Sequence, residues 1–407
     1  MLKRVYVFIS LDQQWVPCGL LEYSETGRHS SSIFRYGKKY LERVDRISVD
    51  PCHLPLQDTT FSTPDGFSIF NGIRDAGPDG WGRYLLDKKF NRALNEIEYI
   101  AAASSDRVGA LGFSDSLERA PGIFEEDENF HPNKRPKRLS LDESLGAVDD
   151  ATKTEKTERL LEYLSYGPSL GGARPKASIT LDGKLYLAKF TLARDKKNES
   201  LIEYATMMLA KACGLAVPEI RLETVGNRSV YLIERFDRVG EKRLPFISGL
   251  TATGIHESDY TSWSYFSLVD AIIKYSDDST RDLRELFKRL VFNIAVYNND
   301  DHLRNFGFLG GKNNTWSLSP LYDVVPTAIN TERFSLAMTC GREGKRASYK
   351  NALSMRERFR LTADEANLVM QEVKDVVAGW RKHFISIGAT EADIAIISNS
   401  FKVKPED

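Results

Sequence analysis

Cysteine is scarce and scattered: Cys18, Cys52, Cys213 and Cys340 are the only four in 407 residues, and no two make a C-x-x-C pair. That argues against a disulfide framework and against thiolate metal sites, and the four are read as reduced, mostly core thiols. An excess of charge of one sign is also lacking, because 56 basic residues meet 57 acidic ones for a net charge of -1. A surface-wide nucleic-acid footprint is thereby excluded, although a local basic patch is not. No apolar run approaches the ~18 residues that a membrane helix needs. The opening Met1-Leu2-Lys3-Arg4-Val5-Tyr6-Val7-Phe8-Ile9-Ser10 is too short and too β-like for a secretory signal. A cytoplasmic protein without membrane contact is the expectation. Internal repeats are missing, and His29, His53, His131, His256 and His383 show no metal-ligand spacing.

What is present is a run that matches a kinase catalytic loop, Asn299-Asp300-Asp301-His302-Leu303-Arg304-Asn305, followed by Leu321-Tyr322-Asp323. Phosphoryl transfer needs a carboxylate to orient the attacking hydroxyl, plus an Asn and a second Asp to hold the magnesium that bridges the phosphates. Asp300 and Asn305 have the required D-x-x-x-x-N spacing. Residues 306–309 and 315–318 flank a Gly310-Gly311-Lys312-Asn313-Asn314 turn, which predicts a hairpin that returns Asp323 to Asn305. Asp and Asn are also ordinary turn formers, so the spacing by itself leaves a plain turn open. His302 sits inside the motif, where it could support the loop or touch phosphate, with a packed structural role as the alternative.

A matching nucleotide half lies upstream. Ser169-Leu170-Gly171-Gly172-Ala173-Arg174-Pro175-Lys176 is a Gly-containing loop whose paired glycines let backbone N–H groups approach phosphate. Residues 177–181 and 185–190 around Asp182-Gly183 predict a hairpin carrying Lys189, in the position of the kinase lysine that holds ATP phosphates. Such a lysine needs a carboxylate on the next helix. The helix predicted over 201–213, stopped by Gly214, offers Glu203, with Glu199 the spare candidate at its entrance, where acid also complements the helix dipole. A further hairpin around Gly226-Asn227 runs into Glu234-Arg235-Phe236-Asp237-Arg238. In a kinase the chain crosses between lobes here, making Glu234 and Phe236 candidates for the adenine edge. The competing reading is a charged strand end with Arg235, Asp237 and Arg238 in surface ion pairs.

The ordered set resembles the HipA family of serine/threonine kinases, the toxins of bacterial type II toxin–antitoxin modules. It comprises the Ser169-x-Gly171-Gly172-Ala173 loop with Lys176, Ala188-Lys189, Glu203-Tyr204, Leu209-Ala210-Lys211, Glu234 to Arg238, Asp300-x-His302-x-x-Asn305-Phe306 and Pro320-Leu321-Tyr322-Asp323. Upstream, Phe70-Asn71-Gly72 through Arg83 and Asp106 through Phe113 resemble the family's amino-terminal region. The resemblance implies ATP and magnesium, with Asp300 orienting the acceptor hydroxyl, Asn305 and Asp323 binding the metal, and Lys189, held by Glu203, on the α/β-phosphates. It implies autophosphorylation of Ser169, which ejects the loop. It further implies a small DNA-binding, HipB-like antitoxin through which DNA is mainly contacted, and a protein substrate, with aminoacyl-tRNA synthetases among those of the family. Arg174-Pro175 departs from the polar Gln-Glu common in the family, and proline stiffens that loop.

The expected fold is α+β: a bilobal protein-kinase-like fold with a β-rich nucleotide lobe at 158–240, a mainly helical catalytic lobe at 241–407 and an extra small α+β domain at 1–115. Residues 116–157 read as a charged linker, containing Glu125-Glu126-Asp127-Glu128 and Lys134-Arg135-Pro136-Lys137-Arg138, the latter a solvated loop in preference to a nucleic-acid contact. Helical periodicity is expected over 283–295, 363–387 and 391–401. Three rivals stay open: a small-molecule phosphotransferase, whose loop typically carries His where Asn298 stands, a lipid kinase, which favours a basic membrane-facing cleft, and a pseudokinase acting as a partner-binding module.

Overall fold

Short β-prone runs near the amino terminus form an antiparallel sheet of β1 (Arg4–Leu11), β2 (Gln14–Thr26), β3 (His29–Tyr36), β4 (Thr60–Ser62) and β5 (Leu111–Ser114), in the order β4-β3-β2-β1-β5. In β3, Ser32, Phe34 and Tyr36 face inward while Ile33 and Arg35 face solvent, the alternation a half-buried strand requires. The computed structural model describes residues 3–27, 29–103, 105–119, 121–122, 140–151, 174–328 and 334–402.

The chain divides into two compact units, one of Met1–Phe190, Glu234–Ile247 and Leu309–Thr315, the other of Thr191–Ile233, Ser248–Phe308 and Trp316–Asp407. The first holds the five-stranded sheet, the helix Gly80–Phe90 and the hairpin of Lys176–Leu181 with Lys184–Phe190. The second is mainly helical. Its central helix, Ser279–Val296, buries Leu283, Leu286, Phe287, Leu290 and Ile294 at helical spacing and packs against Ala363–Ala378. Each such side chain contributes about 1.5–3 kcal/mol of burial. The hairpin of Ile220–Val225 with Arg228–Glu234 turns at Gly226, whose φ of +61° favours glycine.

The carboxy-terminal helices differ from the expectation. The periodic run 363–387 is two helices, Ala363–Ala378 and Trp380–Ile387, separated at Gly379. The break lets Trp380 stack on Phe401, with centroids 4.1 Å apart, and Phe401 itself lies in a 3-10 turn, Ser398–Lys402, that replaces the expected end of the last helix, Glu391–Ile397. Most of the expected charged linker lies outside the described residues, although Leu141–Ala151 forms a helix within it.

Candidate functional site

Two consecutive carboxylates meet opposite surroundings at the end of the Ser279–Val296 helix. The helix begins on Asp278, whose side chain accepts from the Arg281 amide, and stops at Tyr297, whose left-handed backbone (φ 47°, ψ 57°) turns the chain away. That conformation costs a bulky residue about 1–2 kcal/mol. The Tyr297 ring lies 4.7 Å from Phe334 and its hydroxyl accepts from the Ser335 amide at 3.3 Å, contacts that hold it there. Beyond it the Asp300 side chain is 73% exposed, whereas Asp301 is 1% exposed.

A single 3-10 turn, Leu303–Asn305, completes the motif. The Asn305 Nδ2 group donates to the Asp300 carbonyl at 2.7 Å, closing the D-x-x-x-x-N segment on itself. That bond orients the amide, whose Oδ1 is an oxygen of the type a hard cation takes. His302 Nε2 stands 3.6 Å from Asp300 Oδ1, and its buried Nδ1 has no hydrogen-bond partner among the described residues. Loss of hydration raises the Asp300 carboxyl above its ordinary range; His302 opposes the shift and the Asp323 charge adds to it. With most of that side chain in water, geometry defines its role more than the shift does.

The predicted return of the chain is present. Gly307–Gly310 and Trp316–Leu318 flank the turn, and the Ser319 amide donates to the Gly307 carbonyl at 2.8 Å. The Tyr322 hydroxyl donates to the Arg304 carbonyl at 2.9 Å, tying the Asp323 segment to the Leu303–Asn305 turn. Asp323 adopts φ +61°, a left-handed conformation that Asp tolerates better than most residues. The buried Tyr231 hydroxyl titrates well above its ordinary range, first through burial and then through the negative charges of Glu203 and Asp323, so both carboxylates lie within electrostatic reach of it. Glu203 occupies the buried face of the Glu199–Ala212 helix, which starts on an Asn198 cap, while the spare candidate Glu199 pairs with Lys197 at 3.3 Å.

In the first unit, Lys176 and Lys189 stand directly opposite each other across the hairpin, 3% and 9% exposed. Opposed positions project to the same face, so two ammonium groups share it, an arrangement that an anion stabilises. Glu234 pairs with Lys184 at 3.0 Å, and the Phe236 ring lies 6.3 Å from Phe246. Surface ion pairing of the following charges is corrected. Arg235 and Asp237 are buried, Arg235 Nη1 meets Asp106 at 2.8 Å, and Asp237 Oδ2 accepts from Arg235 at 2.7 Å, from Arg238 at 2.6 Å and from the Gly109 amide at 2.8 Å. Burial alone would raise the Asp237 carboxyl, but Arg235 and Arg238 overcome it and hold it well below the ordinary range.

The second unit therefore brings Asp300, His302, Asn305 and Asp323 together with Glu203, and the first pairs Lys176 with Lys189. Ser169, Leu170, Gly171 and Gly172 lie outside the described residues, as does the basic run 134–138. Sequence reasoning assigned no role to Tyr231 or Asp301, and the adjacent Asp300-Asp301 pair was the one available signal for the latter. Among the described residues no three or more His, Cys, Asp or Glu converge as metal ligands. Magnesium needs fewer protein oxygens because phosphate and water complete its octahedron, and an Asn–Asp set suits it.

A family model described as the HipA-like C-terminal domain matches residues 168–380. A Haemophilus influenzae protein provisionally named a kinase is 28% identical over 162 residues, covering 35% of this chain and 47% of the relative. A Sinorhizobium fredii protein with a similar name is 27% identical over 195 residues, 44% of this chain and 46% of that one. The chain thus spans about half the length of each of these two relatives. The HipA chain of a Shewanella oneidensis toxin–antitoxin complex with HipB and operator DNA superposes with a TM-score of 0.72 at 16% identity, covering 99% of this chain and 96% of its own, and shares the fold. No helix among the described residues is long and apolar enough to cross a membrane.

Proposed function

The chain belongs to the HipA-like C-terminal domain family, and on that premise we propose that it is a kinase that transfers the γ-phosphoryl group of ATP to a serine or threonine of a protein. The observation that carries this reading is the closed Asp300–Asn305 turn, which exposes one carboxylate and orients the Asn305 amide through its bond to the Asp300 carbonyl. Catalysis of this transfer is mostly positioning and charge stabilisation. Asp300 orients the acceptor hydroxyl and takes its proton. Asn305 and Asp323 supply the oxygens for magnesium, which would neutralise phosphate charge when bound. Lys189 and Lys176 are assigned to the phosphates, and Glu203 is the carboxylate that the resemblance pairs with Lys189. His302, 3.6 Å from Asp300, is assigned to the same charge cluster, and Glu234 and Phe236 to the adenine edge.

Two finer assignments accompany this reading. Ser169, at the head of the Gly171-Gly172 loop, is a self-phosphorylation site, because a phosphate there adds about -1.5 to -2 charges where ATP phosphates must sit. The partner is a HipB-like DNA-binding antitoxin, supported by the composition of the Shewanella complex and by a net charge of -1 that leaves most DNA contact to the partner. An aminoacyl-tRNA synthetase is the substrate class that the family resemblance favours. Incubation with ATP and magnesium, followed by phosphosite mapping, tests the reading. Phosphate on serine or threonine, Ser169 included, is expected; nucleotide binding without any transfer would make the chain a pseudokinase.

A further inference from the structure

The four residues 298–301 are each tied down differently, and the only side chain among them left largely in water is that of Asp300. Asn299 is pinned to Thr327, whose Oγ1 donates to Asn299 Oδ1 at 2.7 Å and accepts from the Asn299 amide at 3.3 Å. The others belong to one chain of hydrogen bonds, from Asp301 to the Asp300 amide, that the Asp300–Asp301 peptide bond closes into a ring. Asp301 Oδ1 accepts from the Ala337 amide at 2.6 Å, and Asp301 Oδ2 accepts from the Tyr265 hydroxyl at 2.8 Å. The Tyr265 oxygen accepts from Asn293 Nδ2 at 3.0 Å. Asn293 Oδ1 accepts from Asn298 Nδ2 at 3.1 Å, and Asn298 Oδ1 accepts from the backbone N–H of Asp300 at 3.3 Å. Tyr265, Asn293, Asn298 and Asp301 are all buried.

The direction of every bond in this ring follows from its backbone end, because an amide N–H can only donate. The Asp300 amide requires Asn298 Oδ1, so Asn298 Nδ2 faces Asn293 Oδ1, Asn293 Nδ2 faces the Tyr265 oxygen, and the Tyr265 hydroxyl is left to donate to Asp301. Burial pushes the Asp301 carboxyl up to about 7, and its bonds from the Ala337 amide and the Tyr265 hydroxyl oppose that shift. We propose that Asp301 is a positioning residue that, through Tyr265, Asn293 and Asn298, fixes the backbone of Asp300 and so aims its exposed carboxylate. This rests on the kinase reading for what Asp300 does, but the ring itself is a property of the fold.

Tyr265→Phe removes one hydroxyl and keeps the ring's packing, and Asp301→Asn keeps the shape while setting an NH2 group against one of the two donors that Asp301 accepts. Hydrogen exchange of the wild-type chain and both variants, read on peptides covering 297–303, is paired with kcat and KM for ATP. Displacement of a catalytic group by about 1 Å can cost on the order of a hundredfold. Both variants are expected to exchange faster at 297–303, with protection elsewhere retained, and to lose roughly tenfold to a hundredfold in kcat while KM for ATP stays within about twofold. A general loss of packing would raise KM and exchange throughout. Unchanged exchange at 297–303 in Tyr265→Phe overturns the ring. An active wild type whose variants keep kcat despite faster exchange overturns the positioning role alone. A wild type without any turnover removes the kinase reading and the positioning role together.

Discussion

Asp237 shows at the residue scale how a charge can be structural where its neighbours in sequence suggest a surface. Its carboxylate accepts from Arg235, Arg238 and the Gly109 amide, far from water. Replacing it with Asn leaves two guanidinium groups buried without that charge, a change that typically costs 3–5 kcal/mol, or roughly that amount here, measurable by urea unfolding. The pH dependence follows from the lowered carboxyls of Asp237 and Asp106. For both, the folded value lies below the unfolded one, near about 3.9. Their contribution is present above that pH and is lost as pH falls through the folded values. Thermal stability of the wild-type chain should drop below about pH 4, and the drop should be shallower in Asp237→Asn.

Elements carry the site because their ends are placed by contacts that composition does not reveal. The short helix Gly249–Thr253 comes so close to the catalytic turn that a Cβ on Gly249 would lie 2.5 Å from the Leu303 carbonyl, while its amide donates to the Phe306 carbonyl at 2.7 Å. Gly249→Ala should cost about 1–3 kcal/mol through overpacking and lower turnover by displacing Leu303–Asn305. A variant with wild-type melting temperature and rate would refute the close approach. The hairpin bearing Lys189, the helix bearing Glu203 and the return to Asp323 were all readable, since each is local periodicity bounded by turn residues. What was not readable depends on distant partners. The burial of Arg235 needs Asp106 and Gly109 from far upstream, and the inward turn of Asp301 needs Tyr265 and Ala337. The periodic run 363–387 breaks at Gly379, where Trp380 stacks on the distant Phe401.

For the whole molecule, near-neutral charge and family membership lead to a concrete division of labour. This chain alone should bind operator DNA weakly, and addition of the proposed HipB-like partner should confer tight, salt-sensitive binding in an electrophoretic or anisotropy assay. Tight binding by the isolated chain would contradict it. The central claim is that Asp300 acts on the acceptor while Asp323 acts on the metal. Its most direct test compares ATP affinity by calorimetry, with and without magnesium, and phosphoryl transfer in the wild-type, Asp300→Asn and Asp323→Asn chains. Asp300→Asn should bind magnesium-ATP nearly as wild type does and lose about 10²- to 10⁴-fold in turnover, while Asp323→Asn loses the magnesium dependence of binding. Near-normal turnover in Asp300→Asn would contradict the account.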